Sequence, residues 1–170
     1  MNRDELSISA ADLFFRSAVQ HYNEKKYWAM RAKVVAPQQG KKTFSKLLNY
    51  YRLFIIKRSD AFNNASMGTH LGFGAQFKSP PKLPHGLYGI IVSHRAVIGE
   101  NCTIFHQVTI GEGKNGAPII GDNVLIGAGA KIIGGIHIGS GARIGVNAVV
   151  VHDVPKNGVV VAPEGVLQPK

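Results

Sequence analysis

Seven histidines and one cysteine are the side chains of this 170-residue chain best suited to proton transfer or nucleophilic chemistry near neutral pH. His85 is set apart by its surroundings. The stretch Ser79-Pro-Pro-Lys-Leu-Pro-His85 is too proline-rich for ladder pairing and reads as a loop, from which a side chain can reach a cleft. An imidazole titrating near ~6.5 can accept a hydroxyl proton at neutral pH, a contribution of typically ~10²–10⁴ in rate. A structural or surface histidine is the default reading of such a residue. His94 and His106 are either turn residues or lining of a groove near His85, while His137 and His152 read as surface. Cys102, within Ile98-Gly-Glu-Asn-Cys102-Thr, falls on a position that the pattern below turns inward, so it reads as core packing and not as a nucleophile.

The frame that must hold these residues is a period of six. First positions fall at Ile98, Ile104, Ile110, Ile120, Ile126, Ile132, Ile138, Ile144 and Val150, and glycine follows in six of the nine units. A strand alternates with period 2 and a helix with 3.6, so a period of six suits neither alone. It suits a short strand plus a tight turn, stacked as one face of a prism-shaped coil. The first residue points inward, and a second small or branched residue four later (Cys102, Val108, Val124, Ala130, Ile136, Ala142, Ala148, Val154) fills the corner. The glycines are expected to supply turn conformations. Gly111-Glu-Gly-Lys-Asn-Gly-Ala-Pro118 interrupts the rhythm as an excursion from the coil, a common place for function.

Residues 1–62 form a helical segment and residues 63–170 the repeat domain, with loops at 79–89 and 111–118. One helix is expected over 6–33 and a second from Thr43 to about Asp60, with Phe44, Leu47, Leu48, Tyr51, Phe54 and Ile55 as its apolar face. That face either packs on the coil or a partner subunit, or binds a surface as an amphipathic helix. Asn63 to Phe77 reads as a first, imperfect coil and Val159 to Ala162 as a last strand. The net charge is +10 and is concentrated at the start, where residues 1–60 hold 12 Lys/Arg against 5 Asp/Glu. Such a surface suits an anionic membrane, polymer or substrate; no nucleic-acid module is recognisable. No apolar run approaches the ~18–20 residues of a membrane span, and the N-terminus lacks a signal-peptide core. With a single cysteine there is no internal disulfide, in keeping with a cytoplasmic protein, which could also sit peripherally at the inner face of the membrane.

The repeat resembles the hexapeptide-repeat acyltransferases, which implies a mainly β fold, a left-handed parallel β-helix preceded by an α-helical segment. Within that family, Pro84-His85-Gly-Leu-Tyr-Gly89-Ile-Ile-Val92, Val108-Thr-Ile-Gly111 and Ile126-Gly-Ala-Gly-Ala-Lys-Ile132 are similar to the serine O-acetyltransferase branch. The resemblance implies acetyl-CoA as co-substrate, no metal, a homotrimer, and His85 as general base. It also implies that Gly111, Ala128, Gly129, Lys131 and Val146 line the coenzyme groove, with Lys131 either pairing with CoA phosphates or standing as a solvated turn charge. A trimeric zinc hydrolyase also uses this fold, but it needs a close histidine pair that the spacing 85, 94, 106, 137, 152 does not contain.

Three departures from the serine branch shift the expected acceptor. Counting back along the repeat puts Ser66 where an aspartate orients the histidine. That leaves Ser66, His70, a main-chain carbonyl or a neighbouring chain for the role. The loop 111–118 is short and lacks a histidine, and Ala162-Pro-Glu-Gly-Val166 replaces the usual tail. With His85 retained and the acceptor loop changed, the chain is more similar to sugar and capsular- or exopolysaccharide O-acetyltransferases, a match that also covers Asn63-Asn-Ala-Ser66 and Lys78-Ser-Pro-Pro-Lys-Leu-Pro-His85-Gly. The expectation is therefore an O-acetyltransferase acting on a sugar hydroxyl of a surface polysaccharide or its precursor. Serine O-acetyltransferase is the alternative enzyme, and a non-catalytic repeat scaffold the alternative from another class.

Overall fold

The computed structural model describes residues 17–40 and 42–164. Two helices, α1 (Glu24–Val35) and α2 (Thr43–Phe62), precede the repeat. Strands β1 (Thr69–His70), β2 (Phe73–Gly74) and β3 (Gln76–Phe77) open it. Eleven short strands follow: β4 (Ile91–Val92), β5 (Val97–Ile98), β6 (Thr103–Ile104), β7 (Thr109–Gly111), β8 (Ile119–Ile120), β9 (Leu125–Ile126), β10 (Lys131–Ile133), β11 (His137–Ile138), β12 (Arg143–Ile144), β13 (Val149–Val150) and β14 (Val159–Val160). They stack into three parallel ladders: β4-β7-β10-β13 is the first face, β3-β5-β8-β11 the second and β6-β9-β12-β14 the third. The result is a parallel β-solenoid of about five turns.

All nine first-position aliphatics are buried, as are all eight corner residues, so the period of six does set the core. Cys102 is among them. Its thiol lies 3.2 Å from the Gly121 carbonyl, and burial pushes its pKa up, which disfavours the nucleophilic thiolate.

The second-position glycines do a different job from the one expected, whereas Gly129 and Gly141 do supply turn conformations. Left-handed backbone occurs at the fourth position of the unit, in Asn101, Gln107, Asn123, Gly129, Gly141 and Asn147. The second-position glycines instead allow close stacking: a Cβ on Gly127 would lie 2.8 Å from the Val146 nitrogen, and one on Gly121 2.6 Å from that of Ser140. The turns of successive coils touch backbone to backbone, so that position excludes a side chain.

Before the coil, three expectations change. A single helix over 6–33 fails, its first part lying outside the described residues: His21 has φ +50°, and α1 starts afresh at Glu24. Asn23 caps it, accepting the Lys26 N–H at 3.0 Å, a cap signal the apolar spacing did not reveal. In α2 the expected apolar face is mostly solvent-exposed, and the buried residues are Asn49, Ile56, Ser59 and Asp60. The first coil is entered through an antiparallel hairpin, β1 with β2, outside the parallel ladders.

The proline-rich loop also contributes a rung. Lys82 donates its N–H to Cys102 O at 2.8 Å, and its carbonyl accepts from Ile104 at 3.0 Å. Proline removes only its own donor, so Lys82 between Pro81 and Leu83 remains free to pair.

Polar contacts bind the helices to the coil. The Arg31 guanidinium is buried, donating to Met67 O (3.1 Å), Ala75 O (2.6 Å) and Thr69 Oγ1 (3.0 Å), with the Phe77 ring 4.7 Å away. Desolvation lowers its pKa to about 10. Tyr27 donates to Asp60 Oδ1 at 2.6 Å, and burial raises the Asp60 carboxyl to about 6.

Candidate active site

The edge where the third face turns into the first carries most of the expected site residues. Four segments stack there: the 83–90 loop and the turns following β6, β9 and β12. Gln107 N bonds Tyr88 O (2.9 Å), Gly129 N bonds His106 O (3.0 Å) and Asn147 N bonds Ala128 O (2.8 Å), fixing the turns in register. His85 stands at the head of this edge; Ala128, Gly129 and the exposed Val146 lie below it. Lys131 opens the next strand and its Nζ donates to Gln107 O at 2.8 Å, tethering it across the same turns. Gly129 has φ +72°, and a Cβ there would strike Asn147 Oδ1, so both conformation and space call for glycine.

Gly111 is elsewhere. It ends β7 at the opposite side of the first face, where the 112–118 excursion begins and Gly113 and Gly116 bridge. One chain therefore gathers His85, Ala128, Gly129, Lys131 and Val146 on one edge and leaves Gly111 on another.

The His85 imidazole is exposed. It sits edge-on to His106, ring centroids 4.8 Å apart at 87°, and 5.9 Å from Phe105. It opens on a hollow of about 430 Å³ lined by Val19, Gln20, Phe62, Asn63, Tyr88 and His106. The far wall thus comes from the helical segment. Asn63 is anchored there, its amide donating to Gln20 O and Ser59 O (2.8 Å each) and its carbonyl accepting from Gly89 N at 2.9 Å. Of the residues lining the hollow, Gln20 Oε1 and His106 Nδ1 are buried and have no hydrogen-bond partner among the described residues.

Counting by six misjudged the neighbour of His85. Ser66 pairs with Ile91 on the first face. His70 stacks on Phe73 and meets His94 at 5.4 Å, away from His85; partial burial, Lys57 and His94 hold its pKa below the usual imidazole range. Asn63, three residues before Ser66, is the one that lines the hollow. The helix end and the β1–β2 hairpin break the period there, so a count of six does not carry back past the clean repeats. Of the two third-position histidines, His106 reaches His85 and His94 does not. Gln20 and Tyr88 carried no sequence signal, because their proximity arises only from folding. Among the described residues no group of three His, Cys, Asp or Glu is arranged to hold a metal ion.

Comparison with known proteins adds a second line of information. Residues 117–152 match the family described as bacterial transferase hexapeptide (six repeats). Those residues are similar to hexapeptide-repeat transferases, and longer stretches of the chain are similar to serine acetyltransferases. It is 36% identical over 124 residues to a serine acetyltransferase of Staphylococcus aureus, a match covering 71% of this chain and 58% of that protein. A match of that extent in a chain of 170 residues necessarily includes His85. It is also 47% identical over 81 residues to a serine acetyltransferase of Mycobacterium tuberculosis, 45% of this chain and 35% of that one. Among solved structures, soybean serine acetyltransferase apoenzyme superposes with TM-score 0.64 at 31% identity, covering 93% of this chain and 60% of that chain. The soybean enzyme complexed with serine gives 0.66 at 26%, covering 92% and 60%. The chain thus spans from about a third to three fifths of the length of these relatives.

These relatives overturn the expected sugar acceptor and the link to polysaccharide synthesis: they are named for serine, and one soybean structure holds it. The expectation had leaned on the short, histidine-free loop 111–118. Loop length carries no code for an acceptor.

Proposed function

We propose that this chain is an acetyl-CoA-dependent serine O-acetyltransferase, with His85 as general base. The observation that carries the reading is the His85 imidazole at the mouth of a hollow lined by both apolar and polar side chains, at the head of an edge of stacked small-residue turns. The naming of its relatives supports serine as acceptor. His85 takes the proton from the serine hydroxyl, whose oxygen bonds to the thioester carbonyl carbon. A backbone N–H stabilises the tetrahedral oxyanion, the carbon–sulfur bond breaks, and the imidazolium returns its proton to the CoA thiolate. No covalent acyl-enzyme is needed.

Ala128, Gly129 and Val146 offer close backbone approach to the pantetheine arm, and Lys131 a charge for CoA phosphates. Gly111 joins them only if a neighbouring chain brings its own 111–118 edge alongside, which favours a homotrimer with sites between subunits. In this reading residues 63–170 form the transferase domain, residues 1–62 supply one wall of the acceptor hollow, and the enzyme works in the cytoplasm. Among the described residues no helix is long and apolar enough to cross a membrane.

The test is release of free CoA thiol with acetyl-CoA and L-serine, compared with hexose and amino-sugar acceptors. Turnover dependent on serine, falling by about 10²–10⁴ in His85→Ala, is expected. Because His85 is exposed, the variant should fold normally. Undiminished turnover in it would remove His85 as the base, and activity confined to sugars would remove serine.

A further inference from the structure

We propose that the outer face of α2 docks on an anionic lipid surface. Phe44, Leu47, Tyr51 and Phe54 recur at spacings of three and four and form one stripe, 77%, 67%, 62% and 62% exposed. The opposite stripe, Asn49, Ile56, Ser59 and Asp60, is the one buried against the rest of the protein. An exposed aromatic and aliphatic stripe on a 20-residue helix, about 30 Å long, is a costly surface to leave in water.

Charge selects the occupant. Lys46 and Arg58 are exposed on α2, and its single acidic residue, Asp60, is buried. Lys42 extends the basic surface at the start of the helix. A second copy presenting the same face would bring cations against cations. An anionic bilayer answers both features: acyl chains and headgroup boundary for the aromatic rings, negative charge for the lysines and arginines. The stripe lies opposite the buried residues of α2 and does not include the residues lining the acceptor hollow, so docking would leave that site free.

The test is co-sedimentation of the full chain with phosphatidylcholine vesicles, with and without phosphatidylglycerol, at low and high salt. Binding is expected only to the phosphatidylglycerol vesicles, weakened about tenfold by high salt. The triple change Phe44→Ser, Tyr51→Ser, Phe54→Ser should abolish it while leaving the melting temperature and acetyl-transfer rate unchanged. Lys46→Glu should weaken it. Three results would overturn the proposal: no binding to anionic vesicles, undiminished binding by the triple variant, or a fall in oligomeric mass of that variant in a protein that ignores vesicles. The last would assign the face to subunit contact.

Discussion

Replacing Gly127 by alanine tests the claim that second-position glycines are set by stacking and not by turn conformation. The ideal Cβ of residue 127 lies 2.8 Å from Val146 N, 2.9 Å from Gly145 C and 3.0 Å from Ile144 O, all main-chain atoms that no rotamer change can move. Ordinary contact needs about 3.5 Å or more, so the two turns must part by about 0.5 Å. The Gly127 N–H to Ile144 O bond, now 2.8 Å, would then pass beyond good hydrogen-bond length. Overpacking of this kind costs about 1–3 kcal/mol, and a cost of about 2 kcal/mol in a chain of this size lowers the melting temperature by roughly 4–8 °C. Because Val146 lies on the proposed coenzyme edge, KM for acetyl-CoA should rise more than kcat falls. Calorimetry and initial-rate kinetics measure both. A melting temperature within about one degree of the parent would refute the stacking argument, since no flexible side chain is present to absorb the clash.

Arg31→Ala removes the donor to two buried carbonyls and the Thr69 hydroxyl; a loss of about 3 kcal/mol or more is expected, seen as earlier urea unfolding and faster amide exchange in β1–β3. Asp60, with a carboxyl raised from 3.8 to about 6, binds its proton more tightly folded than unfolded. Its contribution is therefore fully present below about pH 4 and lost as pH rises through about 6, a change of about 3 kcal/mol. Urea midpoints at acid and neutral pH should show this component in the parent and not in Asp60→Asn; an identical pH dependence in both would exclude it.

The sequence was most legible where one rule repeats. From Ile98 to Val154 every inward position is aliphatic or small, and each is buried, because a stacked coil offers the same environment at each sixth residue. It was least legible where that rule stops. Asn23 restarts a helix that apolar spacing ran straight through, and Lys82 pairs between residues that suggested a loop. In α2, apolar spacing located the helix but not that its apolar face is left exposed, since Arg31, Tyr27 and Asp60 tie the helices in through polar contacts that no hydrophobic pattern records.

That Ala128, Gly129, Lys131 and Val146 share one edge follows from the repeat, which assigns each a fixed place in its coil. What surrounds His85 does not. Val19, Gln20, Phe62, Asn63 and His106 are up to 87 residues apart and meet only once two helices close over the end of the solenoid. Local rules act over a few residues of chain, whereas a hollow is formed by whichever distant surfaces packing brings together. Sequence determined the scaffold and its line of turns; tertiary structure alone decided what stands opposite the imidazole, and which side of α2 meets water.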